Sequence, residues 1–115
     1  MRITVLEART DDRGRMFSLP LPWSSMREAH AGTLLPGHVR GNHFHPSSRE
    51  LLVILHSDRW TLRFDGGERT FEGAGAEMLE IGPGCAHAII NDGSAELQLL
   101  SVADEVPVTV RHVLV

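Results

Sequence analysis

The chain of 115 residues has a single cysteine, Cys85, no tyrosine, and an aromatic share of 5%. One thiol cannot close an intrachain disulfide, so packing has to hold the fold, and a reducing compartment is compatible with it. Aromatics this sparse give no base-stacking platform. A net charge of −4 and a pI near 5.9 give no basic stripe either, so nucleic acid is not an expected partner. No apolar run approaches the roughly 20 residues that cross a bilayer. Met1-Arg2-Ile3-Thr4 does not open a long hydrophobic block of the secretory kind. No membrane partner is expected, and a cytoplasmic location follows by default. A sustained apolar period of 3.6 is missing, as are internal repeats, low-complexity tracts and linkers.

Short alternating or wholly apolar runs are present, with turn residues between them. The pattern predicts an all-β chain with strands at Ile3 to Leu6, Ala31 to Leu35, Gly41 to His45, Glu50 to His56, Trp60 to Phe64, Glu68 to Phe71, Ala76 to Ile81, His87 to Asn91, Leu97 to Val102 and Val108 to Leu114. Asp65-Gly66-Gly67 is the clearest hairpin turn, with Asn91-Asp92-Gly93-Ser94 as the second. Glu50, Leu52 and Ile54 share one face of their strand while Leu51, Val53 and Leu55 share the other, which predicts burial on both sides. Trp60, Leu62 and Phe64 alternate with Thr61 and Arg63, as on a strand with one core face and one polar face. The only helical expectation is a turn around Ser24 to Ala29, capped by Ser24 or Ser25. At this length one domain with one core is expected. Its barrel would occupy about residues 31–103, preceded by an N-terminal arm, 1–30.

Chemistry concentrates between Gly37 and His56. Side chains two apart on a strand point the same way, so His43 and His45 can present two imidazoles to one point while Phe44 faces away. Pro46, Ser47 and Ser48 interrupt the extended pattern, and a hairpin there would return Glu50 to the same point with a carboxylate. Further on, a Gly-Pro-Gly corner at residues 82–84 introduces His87 at the start of another strand. Three imidazoles and one carboxylate suit a divalent transition metal: Zn, Mn, Fe, Ni, Co or Cu. The other four histidines, His30, His38, His56 and His112, lie outside this spacing and default to solvated surface. Cys85 could turn its sulfur toward the same cavity, but no nucleophile-base pair accompanies it, and a structural role is favoured.

These segments resemble the two motifs of the cupin superfamily. Gly-x5-His-x-His-x4-Glu-x6-Gly is met by Gly37, His43, His45 and Glu50, with Ser57 at the last glycine. Pro-x-Gly-x2-His-x3-Asn is met by Gly84, His87 and Asn91, with Gly82 at the proline. The resemblance implies an antiparallel double-stranded β-helix, or jelly roll, with metal ligands His43, His45, Glu50 and His87 inside its mouth.

A finer resemblance lies in Arg40-Gly41-Asn42-His43-Phe44-His45 and in Asp12-Arg13-Gly14, which are similar to segments of cupins that epimerise or ketoisomerise nucleotide-linked sugars. It implies proton removal beside a ketone, with a metal as electrophile and a nearby base. His38 and His56 are the titratable candidates for that base. Arg13 and Arg40 are candidates to grip a substrate diphosphate, the alternative being solvated or carboxylate-paired arginines. A small-molecule substrate and a homodimer are the expected partners, the dimer because the segment through Arg15 and Met16 lies outside the minimal barrel and could cover a partner's edge. Two other functions fit the same ligands: a metal-dependent dioxygenase of a small substrate, and a non-catalytic binding or sensing module.

Overall fold

The computed structural model describes residues 1–115 and contains twelve strands and no helix. In chain order they are β1 (Arg2–Val5), β2 (Ala8–Asp11), β3 (Gly14–Phe17), β4 (Glu28–Leu34), β5 (Val39–Phe44), β6 (Glu50–His56), β7 (Trp60–Phe64), β8 (Gly67–Phe71), β9 (Gly75–Ile81), β10 (His87–Ile90), β11 (Leu97–Ala103) and β12 (Val110–Arg111). All pairings are antiparallel. One sheet has the order β1-β9-β6-β11-β4 and the second β12-β5-β10-β7-β8, while β2 and β3 form a separate ribbon. No strand pair joins the two sheets, so the jelly roll is a sandwich of two antiparallel sheets, not closed into a continuous barrel.

The core lies between the sheets. Leu52, Ile54, Leu79 and Ile81 from the first sheet meet Trp60, Leu62, Phe71 and Ile89 from the second. Trp60 stacks on Phe71 at 4.7 Å between ring centroids. The other face of β6 is buried too. Leu51 and Val53 join Leu6, Ala76, Met78 and Val102, and Phe17, Leu19 and Trp23 of the N-terminal arm pack over them. This two-sided burial is what the apolar run of β6 predicts, and each such Leu or Ile contributes about 1.5–3 kcal/mol relative to exposure.

Five local expectations change. No helix forms over Ser24 to Ala29; β4 begins at Glu28 and pairs residue for residue with β11, from Glu28↔Ala103 to Leu34↔Leu97. Seven ladder positions outweigh a cap that has no apolar stripe behind it. The chain does not form a hairpin at Pro46 to Ser48: β5 and β6 belong to opposite sheets, so this segment is a corner between them. The same holds for Asn91 to Ser94, which leads from β10 in the second sheet to β11 in the first. The C-terminal strand shrinks to Val110–Arg111. The β2–β3 hairpin, turning at Asp12 and Arg13, carries no apolar alternation because nearly every side chain in it is exposed. Only Asp65-Gly66 is a hairpin turn as expected, with Phe64 paired to Gly67 and Gly66 at φ +90°.

Candidate functional site

The site is built on an irregularity in β5. His87 pairs with His43 but Ala88 pairs with Gly41, so Asn42 is an extra residue in the ladder, a β-bulge. Gly41 and Asn42 both take the left-handed conformation, at φ +86° and +61°. At Gly41 a Cβ would stand 2.7 Å from the His87 carbonyl oxygen, so glycine alone lets β5 approach β10 this closely. Asn42 tolerates its conformation and uses its side chain: Oδ1 accepts from the backbone N–H of Leu114 and Val115, at 3.0 and 3.1 Å. The bulge therefore ties the C-terminus to the strand that carries His43.

The imidazoles of His43, His45 and His87 each offer a nitrogen within 4.8 Å of the others. Glu50 reaches them from the facing sheet. Its Oε2 lies 3.5 Å from His45 Nε2 and its Oε1 3.3 Å from His87 Nε2. The far side of each ring is fixed, since His45 Nδ1 donates to the Val108 carbonyl at 3.1 Å and His87 Nδ1 to that of Cys85 at 3.0 Å. A carbonyl only accepts, so in the neutral rings both Nε2 atoms carry lone pairs, and these are turned onto a carboxylate. His45 Nε2 is buried and has no hydrogen-bond partner. Lone pairs and carboxylate oxygens gathered this way call for a cation between them, and the donor set fits a divalent transition metal.

Burial, followed by the neighbouring His87 and His45, lowers the His43 pKa to about 4, against the partial opposition of Glu50, so the ring is neutral at pH 7. Burial acts to raise the Glu50 pKa, but the neighbouring His87 and His45 and the Ser101 hydroxyl outweigh it and hold the carboxyl below its ordinary value. Ser101 Oγ donates to Glu50 Oε2 at 3.1 Å.

A pocket of about 370 Å³ opens over this cluster between the two sheets. β4 contributes His30, Ala31 and Gly32; β5 contributes Arg40, Gly41 and His43; β6, β10 and β11 add Glu50, Leu52, His87, Ile89, Leu99 and Ser101. The four metal-ligand candidates thus come together, and Arg40 joins them at the wall, where its Nε donates to the Thr33 carbonyl at 2.9 Å.

The remaining candidates lie elsewhere. His56 is buried beside Glu77, its Nε2 2.9 Å from Oε2, and Trp60 Nε1 donates to the other carboxylate oxygen at 2.8 Å. This cluster lies outside the lining of that pocket, and His56 borders a separate one with Gly14 and Arg15. His38 lines a shallow groove with Leu35 and Val39, also outside the pocket. Arg13 sits on the β2–β3 turn, 86% exposed and bonded to Asp11 at 2.6 Å, and does not reach this chain's pocket. The Cys85 thiol packs against the core, and burial raises its pKa, in keeping with the structural reading. Asn91 is structural too, its fully buried amide donating to the carbonyls of Leu34 and Ala95 at 2.8 and 2.9 Å. His30, expected at the solvated surface because it stands outside both motifs, is brought to the pocket by the β4–β11 pairing.

The architecture is the cupin-type jelly roll, and solved structures share it over nearly the whole chain. A 3,4-ketoisomerase from Helicobacter canadensis superposes with a TM-score of 0.71 at 20% identity, covering 96% of this chain and 89% of that one. A variant of the QdtA 3,4-ketoisomerase from Thermoanaerobacterium thermosaccharolyticum, in complex with TDP-4-keto-6-deoxyglucose, gives a TM-score of 0.69 at 15% identity, over 96% and 86%. NovW, a 4-keto-6-deoxy sugar epimerase from Streptomyces spheroides, gives 0.69 at 14% identity, over 90% and 63%. No protein-family model and no curated protein matches the chain. At these identities the likeness establishes the fold.

Proposed function

We propose that the protein is an isomerase or epimerase of a nucleotide-linked keto-sugar, acting in the pocket above His43, His45, Glu50 and His87. The observation that carries this reading is the convergence of three imidazoles and an ionised carboxylate beneath an open pocket. The shared fold of keto-sugar isomerases and an epimerase supports it. A divalent transition metal held by those four side chains would supply an electrophile for the ketone oxygen and charge stabilisation as the neighbouring carbon loses its proton.

The chain's own residues supply the rest. Leu52, Ile89 and Leu99 form an apolar wall suited to the face of a deoxysugar ring. Arg40, anchored through Nε, keeps its terminal nitrogens for the diphosphate. A homodimer belongs to this reading: the β2–β3 ribbon is exposed on both strands and leaves edges for a second copy to cover. A single free thiol is in keeping with work in the cytoplasm.

The test is to incubate metal-loaded protein with a panel of TDP-linked 4-keto-6-deoxysugars and read the products by NMR, with metal content measured in parallel. The expected result is a shifted keto group or an inverted centre in at least one member, with metal occupancy falling sharply in His45→Ala while the strands persist by circular dichroism. Oxygen consumption by the iron form with a small chelating substrate, and no sugar turnover, would replace this reading by the dioxygenase. A ligand-dependent melting shift without any turnover would replace it by a binding module.

A further inference from the structure

An isomerase moves a proton between carbons and needs a group to carry it. The chain has no tyrosine and no lysine, so neither a phenol nor an amine is available. Of the titratable side chains lining the pocket, His43, Glu50 and His87 belong to the ligand cluster, and Arg40 stays protonated. His30 is the one left uncommitted.

Three observations put it in place. His30 pairs with Ser101 across the β4–β11 ladder, and directly paired residues share a face of the sheet. Ser101 lines the pocket and bonds Glu50, so His30 stands on the pocket side. Ser101 in turn pairs with Leu52 on β6, which sets His30 two strands, about 10 Å, from the strand that carries Glu50. That separation spans a sugar ring. Glu28, two residues before His30 and on the same face, holds His30 Nε2 at 2.6 Å through Oε1. With Glu28 accepting through Oε1, Nε2 carries the hydrogen and Nδ1, which has no protein partner, is the free lone pair.

We propose that His30, oriented by Glu28, is the proton-transfer residue of this pocket, and that the reaction is therefore isomerisation of the keto group rather than inversion. This rests on the function proposed above. His30 Nδ1 takes the proton from the hydroxyl-bearing carbon beside the ketone. The C–H bond breaks, an N–H bond forms, and the electron pair makes the carbon-carbon double bond of an enediolate whose negative oxygen is the former ketone oxygen. The imidazolium returns the proton to the former ketone carbon, and the hydroxyl proton passes from one oxygen to the other. Atoms and electrons balance with no oxidant or reductant. One base serves one face of the ring, which favours transfer between adjacent carbons over inversion at a single centre.

The experiment uses the full chain, metal-loaded, with TDP-4-keto-6-deoxyglucose in deuterated water, followed by NMR. Wild type, His30→Gln and Glu28→Gln are compared, and TDP affinity and metal content are measured for each. The wild type is expected to form the 3-keto isomer with deuterium at the former ketone carbon, since an exposed imidazolium exchanges with solvent. His30→Gln is expected to slow both loss of the carbon-bound proton and product formation by about 100-fold or more, and Glu28→Gln by roughly 10-fold, with TDP affinity and metal content unchanged. Wild-type rates in His30→Gln, or product loss with proton removal intact, overturn the assignment while leaving the isomerase reading standing. Absence of turnover in the wild type removes that reading and the assignment with it.

Discussion

At the scale of single residues, the site depends on one backbone distortion. Gly41 sits at φ +86° against the His87 carbonyl, so Gly41→Ala introduces strain of about 1–3 kcal/mol and pushes β10 away from β5. A lower denaturant midpoint with an unchanged m-value is expected, together with weaker metal binding; an unaltered midpoint would mean that the bulge tolerates a side chain. The four ligand candidates were legible because period-two spacing and motif spacing both survive in a linear string. His30 was not legible, since its place depends on pairing with β11, about seventy residues away in the chain. His56 is near the motif in sequence, but it stands at the far end of β6 from Glu50.

At the scale of elements, β6 and β7 begin and end where their patterns predict, because buried alternation with flanking turns is a strong local signal. The β2–β3 ribbon escaped because it has no apolar face to announce it, and the strand expected over Val108 to Leu114 shortens to β12. Both flanking segments still have identifiable work. Trp23 covers the outer face of the first sheet and carries the Arg49 guanidinium 4.9 Å above its ring. Trp23→Ala should cost about 2–3 kcal/mol, read by urea unfolding. The segment before β12 holds His45 in its tautomer through the Val108 carbonyl. Removing residues 107–115 should therefore weaken metal affinity 10- to 100-fold without dissolving the sheets, as measured by competition with a chromophoric chelator. Unchanged affinity would show that His45 needs no such orientation.

At the scale of the whole molecule, three perturbed groups set how stability follows pH in the metal-free protein. His43 resists protonation until about pH 4 in the fold, against about 6.5 when unfolded, so stability rises with pH across that window. Glu50, held below its ordinary value, adds stability that is lost as pH falls below about 4.5. His56 runs the other way. Burial acts to lower its pKa, but Glu77 and the carbonyls of Gly73 and Asp58 raise it, so its contribution is complete below about pH 6.5 and is lost as pH climbs through the raised value. Asp11, Asp58 and Asp104 are also lowered, by hydrogen bonds at the protein surface, and add little. The melting temperature of chelated protein should therefore peak near pH 6.5, and Glu77→Gln should flatten the alkaline limb alone. A monotonic rise through pH 8 would remove the role given to His56.

On the function proposed, the pocket between the sheets moves a proton beside a sugar ketone. The most direct test is the NMR spectrum of TDP-4-keto-6-deoxyglucose in deuterated water with metal-loaded wild type and with Glu50→Gln. Deuterium at the former ketone carbon is expected with the wild type, and strongly slowed incorporation with the variant, whose amide weakens the ligand cluster. No deuterium above the enzyme-free rate with folded, metal-loaded wild type, or equal incorporation by the two proteins, would contradict it.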